Sequence, residues 1–196
     1  EILRCLVGSE MCIRDSNYGI KTGYNDAFII NTEKREEILR NCRTEDERQR
    51  TAELIRPILR GRDIKRYGYN WDNLWLINTH NGIKGVKPRI NINEYSAVKA
   101  YLDQHWDKIS KRADKGDTPY NLRNCAYMED FYKPKIVWGN LNLSAAYSIA
   151  ADGIFVNAPC PMIVPASKYL LAILNSKVAD YYLSLIHISE PTRHLR

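Results

Sequence analysis

Apolar residues recur at helical spacing in the first half of this chain and in strand-length runs in the second, and the two patterns do not alternate. The clearest stripe is Tyr95, Val98, Leu102, Trp106 and Ile109, set three and four residues apart with a basic opposite side. Later come the apolar segments Lys135 to Trp138, Ala146 to Ala150, Ile154 to Val156 and Met162 to Val164. Gly139-Asn140, Asp152-Gly153, Pro159 and Pro161 punctuate them as turns. A doubly wound parallel sheet needs strand, helix and strand in repeated succession, and no such repeat is present. The pattern predicts an α+β fold, with early helices and a largely antiparallel sheet in the second half.

The remaining elements follow from local signals. Gly19-Ile-Lys-Thr-Gly-Tyr-Asn25 reads as a tight turn leading into a short strand, Ala27 to Ile30. Thr32 caps a helix running through Glu33 to Asn41. Thr44-Glu-Asp-Glu47 has capping-box spacing and opens a second helix reaching Ile55, before Pro57. Asn73 to Asn78 is a short apolar run of strand length, Asn93 caps the long striped helix, and Lys168 to Leu174 reads as a final helix.

The 196 residues suit one ordinary domain with a real core. Charged residues are 27%, with 10 glycines and 8 prolines, so the composition is neither collagen-like nor disordered. No apolar run approaches the ~20 residues needed to cross a bilayer as a helix. The five cysteines, Cys5, Cys12, Cys42, Cys125 and Cys160, form no C-x-x-C pair, which argues against a structural zinc site or a secreted disulfide framework. The expectation is a reduced, cytoplasmic domain that does not enter a membrane.

The two ends read differently from the middle. Cys5-Leu-Val-Gly-Ser-Glu-Met-Cys-Ile-Arg-Asp-Ser16 and Leu183-Ser-Leu-Ile-His-Ile-Ser-Glu-Pro-Thr-Arg193 both resemble translated sequencing-adapter DNA. Residues 1–16 and 183–196 are therefore expected to be non-native, which leaves a domain over residues 17–182. The alternative for Leu183 to Ile188 is that it finishes a C-terminal helix. Setting both ends aside removes four basic and four acidic residues, so the net charge of +6 is unchanged.

Catalytic constellations are sparse. His80 and His105 stand apart without metal-ligand spacing and read as solvated surface groups. There is no G-x-S-x-G elbow, P-loop or G-x-G-x-x-G arrangement, and so no catalytic residue, metal ligand or cofactor loop is assigned. Asp117-Thr-Pro-Tyr120 approaches the (Asp/Asn/Ser)-Pro-Pro-(Tyr/Phe) motif of DNA amino-methyltransferases, in which the aromatic ring stacks on a flipped base. Here Thr118 replaces the first proline and no cofactor-binding strand and glycine loop precede it, so a proline-containing loop accounts for the four residues better.

What remains is distributed positive charge among polar and aromatic residues. Arg56, Arg60, Arg62, Lys65 and Arg66 oppose only Asp63, and Tyr67 and Tyr69 follow. Lys84, Lys87 and Arg89 make a second cluster near Asn81, Asn91 and Asn93. Lys108, Lys111, Arg112, Lys115 and Arg123 make a third around the Asp117 loop. Such side chains neutralise phosphates and read base edges, although many solvated surfaces look alike.

Five further segments carry a family likeness. They are Gly19-Ile-Lys-Thr-Gly-Tyr-Asn-Asp-Ala-Phe28, Leu54-Ile-Arg-Pro-Ile-Leu-Arg-Gly-Arg-Asp-Ile-Lys-Arg-Tyr67, Asp114-Lys-Gly-Asp-Thr-Pro-Tyr-Asn-Leu-Arg-Asn-Cys-Ala-Tyr127, Pro134-Lys-Ile-Val-Trp-Gly-Asn140 and Tyr169-Leu-Leu-Ala-Ile-Leu-Asn-Ser-Lys177. In this order and spacing they resemble the TaqI-like C-terminal specificity domain of adenine-specific DNA methyltransferases and type IIG restriction-modification enzymes. The resemblance implies a target-recognition-domain-like fold that grips double-stranded DNA. It also implies an upstream catalytic domain of the same parent chain, which binds S-adenosylmethionine and methylates N6 of a flipped adenine. No cofactor is implied for the segment itself.

Base-reading residues differ among members of such a family, so DNA contacts are assigned from charge and loop placement: Lys21, Arg60, Arg62, Lys65, Arg66, Lys84, Lys87, Arg89, Lys111, Arg112, Lys115 and Arg123. The Gly19–Asn25 turn and the Leu59–Asp63 segment are expected to bring backbone N–H groups close to phosphates. The rival readings are a methyl-transfer site built on Asp117-Thr-Pro-Tyr120, and an RNA-binding or protein-interaction domain.

Overall fold

The computed structural model describes residues 16–83, 85, 87–140 and 144–182. Both expected non-native ends lie outside these residues except for Ser16, which opens the first strand. In chain order the elements are β1 (Ser16–Tyr18), α1 (Asn25–Phe28), β2 (Ile29–Asn31), α2 (Thr32–Arg40), α3 (Glu45–Leu54) and β3 (Ile55–Leu59). Then come β4 (Ile64–Lys65), β5 (Gly68–Tyr69), β6 (Leu74–Ile77), α4 (Ser96–Asp103) and α5 (Trp106–Ile109). The last are β7 (Lys135–Trp138), β8 (Tyr147–Ala150), β9 (Phe155–Val156), β10 (Pro161–Ile163) and α6 (Lys168–Leu174). Among the described residues no helix is long and apolar enough to cross a membrane.

Two four-stranded sheets carry the fold, β1-β10-β7-β8 and β2-β6-β3-β9, with β4 and β5 as a separate hairpin. Among the described residues every pairing of these strands is antiparallel except β3 with β9, where Ile58 faces Phe155. The α+β class with mainly antiparallel strands therefore holds. The strands are not confined to the second half, however: β2, β3 and β6 build most of the second sheet from the helical half of the sequence. Apolar side chains from both sheets and helices α1 to α5 merge in the main core, centred on Phe28, Ile55, Ile58, Leu76, Ile77, Val98, Leu102, Ile109, Phe131 and Phe155, while a smaller cluster joins Ile136, Ala145 and Tyr147 to Leu174 of α6. Phe131 and Phe155 stack there with ring centroids 4.7 Å apart.

Local signals place several boundaries. Asn31, rather than Thr32, caps α2 by accepting the Lys34 amide at 2.8 Å. Thr44 Oγ1 accepts the Glu47 amide at 3.1 Å, as the capping-box spacing predicts. The Glu47 carboxylate reaches one residue further back, to the Arg43 amide at 2.9 Å, and across to Ser96 Oγ at 2.8 Å. Burial raises the pKa of Glu47, but these hydrogen bonds outweigh it and leave the group below the usual carboxylate range. One carboxylate thereby joins the starts of α3 and α4.

Three expectations are corrected. Ala27 and Phe28 complete a helical turn, so the strand is only β2. The helix opened by Thr44 ends at Leu54, one residue before the expected Ile55, and the chain runs directly into β3, with Pro57 in register with Trp75. The long striped helix is two helices, because 3₁₀-type bonds from the Gln104 and His105 amides to Tyr101 and Leu102 tighten the chain between them. That turn leaves Trp106 43% exposed, whereas Val98, Leu102 and Ile109 are fully buried.

Candidate nucleic-acid interface

The loops that follow β6 and α5 are fastened by buried polar side chains. The segment following β6 leaves the sheet at Thr79 and returns at Ile90, whose amide donates to the His80 carbonyl at 3.1 Å. Asn121, 1% exposed, closes this neck: its Nδ2 donates to the carbonyls of Thr79, His80 and Ile90 at 3.4, 3.4 and 3.0 Å. Within the loop, Ile83 and Lys87 exchange two backbone hydrogen bonds of 2.8 and 2.9 Å. Gly82 has φ +76°, and a Cβ there would lie 2.5 Å from the Lys87 carbonyl oxygen, so only glycine fits.

This loop borders a groove of about 850 Å³, lined by Asn81, Gly82, Lys87, Arg89, Asp117 and Asn124 among others. Through Asn124 and Cys125 it adjoins a hollow of about 350 Å³ beside Lys21, Arg123 and Tyr127. That hollow shares Lys21, Ala158 and Pro159 with a third, of about 500 Å³, beside the Gly23–Asn25 turn. The three form one trough across the loops.

The predicted contact residues part company here. Lys21, Lys87, Arg89 and Arg123 line the trough, each beside an acid. Lys21 Nζ lies 3.0 Å and Arg123 Nη1 3.3 Å from Asp114, Lys87 Nζ lies 3.6 Å from Glu129, and Arg89 Nη1 lies 3.4 Å from Asp117. The hydrogen bond from Lys21, then the charges of Lys21 and Arg123, hold the Asp114 carboxyl below its usual range. Lys65, Lys111 and Lys115 are exposed, and the first two form no ion pair among the described residues; Lys115 Nζ donates to the Ser110 carbonyl at 2.8 Å. Arg62 stays 70% exposed at the edge of the Asp63–Asp72 pair. Arg66 is exposed too, donating to the Asn175 carbonyl and lying 5.5 Å from the Tyr67 ring. Lys84 lies outside the described residues.

Burial rules out one assignment, and ion pairing engages a second. Arg112 is 6% exposed and faces inward: its guanidinium donates to the carbonyls of Thr22, Asp114, Pro119 and Asn121 and lies 4.3 Å from the Phe28 ring. Burial depresses its pKa to about 10, which still leaves it charged at neutral pH. Arg60 is clamped between Asp63 and Asp72. The backbone expectation changes as well, since the amides of Gly19 and Ile20 already donate to Cys160 and Val156 carbonyls at 2.8 and 2.7 Å.

Packing also engages the tetrapeptide and the histidines. Tyr120 donates its hydroxyl to Asp103 at 2.5 Å and rests on Trp106 with centroids 5.3 Å apart, so its ring is engaged within the protein. His80 is 5% exposed, not solvated, and its Nδ1 accepts the Gly82 amide at 3.1 Å. His105 packs edge-on against Tyr101 at 5.2 Å. No cluster of His, Cys, Asp or Glu among the described residues could hold a metal ion.

The sequence pattern of the TaqI-like C-terminal specificity domain matches residues 56–195. The chain belongs to that family. No curated protein matches this specificity domain in sequence. Among solved structures, its fold is similar to part of the Type IIL restriction-modification enzyme MmeI, determined in complex with DNA, with a TM-score of 0.56 and 13% identity. The likeness covers 83% of this chain and 20% of that one, so the specificity domain corresponds to about a fifth of the enzyme's length.

Sequence reading missed the side chains that organise the trough. In the sequence Asn81 stands only as a neighbour of basic residues, and Asn121 and Asn124 carry no site signal. A lone asparagine carries no periodic signal, and its role depends on which carbonyls the fold brings to it.

Proposed function

We propose that this domain reads DNA sequence for a restriction-modification enzyme whose catalytic part methylates N6 of a flipped adenine. Membership of a specificity-domain family carries the reading, and the trough rimmed by Lys21, Lys87, Arg89 and Arg123 supports it. The partner is duplex DNA in the cytoplasm. The methyl transfer belongs to an upstream catalytic domain of the parent chain, which would bind S-adenosylmethionine. Gly19 and Gly116 serve internal packing, since Cβ atoms there would lie 2.4 and 2.5 Å from the protein's own atoms. No step is assigned to this domain beyond binding and orienting DNA.

Gel-shift titration of the 196-residue chain with random duplex DNA tests the reading. Binding should weaken steeply with salt, with a log–log slope of about −0.9 per phosphate neutralised. Absence of duplex binding at low salt would overturn it, and preference for RNA in competition would favour the RNA-binding rival. Calorimetry with S-adenosylmethionine should show no heat, whereas binding would revive the methyl-transfer rival.

A further inference from the structure

The domain's exposed cations are of two kinds, those away from the trough and those that line it, and the difference between them assigns roles. Lys65 and Lys111 are exposed lysines without an acidic partner among the described residues, free to follow a phosphate. Arg89 is different. Its Nη1 leans on Asp117 Oδ2 at 3.4 Å, while its side chain remains 51% exposed at the groove. Asp117 is itself fixed, because Asn81 Oδ1 accepts its amide at 2.9 Å and Asn81 Nδ2 donates to its Oδ1 at 3.1 Å. Asn81 Nδ2 also donates to Asn124 Oδ1 at 2.5 Å, which orients the exposed Asn124 amide. Beneath them the neck closed by Asn121 holds the loop's two ends together.

A side chain that grips phosphate needs charge and reach. One that discriminates bases needs its donors held in a set plane, since the bidentate matches of arginine to guanine O6/N7 and of asparagine to adenine N6/N7 depend on angle. Pre-orientation by a carboxylate and a rigid loop is the device that provides this. We infer that Arg89 and Asn124 are the base-reading side chains of this groove, Arg89 for a guanine and Asn124 for an adenine, with Asn81 and Asp117 as positioning residues. The inference rests on the DNA-recognition reading above.

The test is selection of bound duplexes from a randomised library by the unaltered chain, by Arg89→Lys and by Asn124→Ala. Arg89→Lys keeps the charge but loses the planar fork. It should retain affinity for random DNA within about twofold while its enrichment for guanine at one position falls about tenfold or more. Asn124→Ala should lose preference for adenine at a different position. Both sites are exposed, and unchanged thermal unfolding of each variant separates readout from folding. A chain that enriches a sequence, with both variants enriching the same sequence equally, overturns the inference and leaves the DNA-recognition reading standing. A uniform loss of binding to all sequences in Arg89→Lys also overturns it, making Arg89 a phosphate contact. If the unaltered chain binds no duplex, the DNA-recognition reading and this inference fail together.

Discussion

The guanidinium of Arg112 donates to the backbone carbonyl of Thr22, ninety residues away, and so ties the Gly19–Asn25 turn to the Asp114–Asn121 loop. Three further carbonyls, of Asp114, Pro119 and Asn121, share the same side chain. A residue that sequence alone offers as a DNA contact is the bolt under the surface on which such contacts are made.

Arg112→Ala should therefore destabilise the domain by about 3–5 kcal/mol, because four carbonyls, two of them in buried hydrogen bonds, lose this donor and Phe28 loses its cover. Urea unfolding measures this. Arg112→Lys should recover little, since one ammonium cannot span four acceptors. Arg123→Ala, on the exposed side of the Asp114 pair, should change stability by less than about 1 kcal/mol; a loss as large as that of Arg112→Ala would refute the distinction.

His80 should titrate below its ordinary range. Burial, and then the charge of Lys87, lower its pKa. Between that folded value and about 6.5 the unfolded chain binds the extra proton, so this contribution to stability is complete above pH ~6.5 and declines as pH falls. Protonation also breaks the bond to the Gly82 amide. Imidazole proton shifts followed by NMR should give a midpoint below 6.5, and a midpoint at or above it would count against the buried neutral ring.

Lys135 is fully buried in β7, its ammonium donating to the carbonyls of Lys133 and Ala151 at 2.8 and 3.1 Å. Burial pushes its pKa down to about 8. The folded chain releases this proton first, so from pH ~8 to ~10.4 the unfolded chain binds more protons and stability rises with pH. The unfolding free energy of the unaltered chain minus that of Lys135→Met should climb by on the order of 2–3 kcal/mol over that range. A flat difference would mean that the amine is solvated.

Gly82→Ala should cost about 1–3 kcal/mol, since alanine at φ +76° is strained and its Cβ meets the Lys87 carbonyl. Thermal unfolding reads the loss, with amide shifts localising it to residues 79–90. Gly85→Ala, where φ is +77° but no atom lies within 4 Å of the added carbon, should cost less.

Lys65→Ala and Lys111→Ala should each weaken binding to every duplex sequence and lower the magnitude of the salt slope by about one. Titration at several salt concentrations checks both, and an unchanged slope would remove that lysine from the phosphate-contacting face.

The sequence by itself determined the local elements whose signals lie within a few residues. Strand-length apolar runs marked β6 to β10 to within a residue or two, Thr44 marked the start of α3, and helix α6 was read at its own boundaries. The missing strand–helix–strand succession was enough for the α+β class. Tertiary structure alone decided that the residues around Pro57 join a sheet, because the pairing partner of Ile58 is Phe155, nearly a hundred residues on, and no local pattern encodes a partner so distant. It likewise decided which cations face solvent. Arg89 and Arg112 are the same residue type in similar basic loops, yet one stands exposed beside Asp117 and the other lies buried among four backbone carbonyls. Charge is written in the sequence, but the desolvation and the acceptors that give it a role exist only once distant loops are brought together.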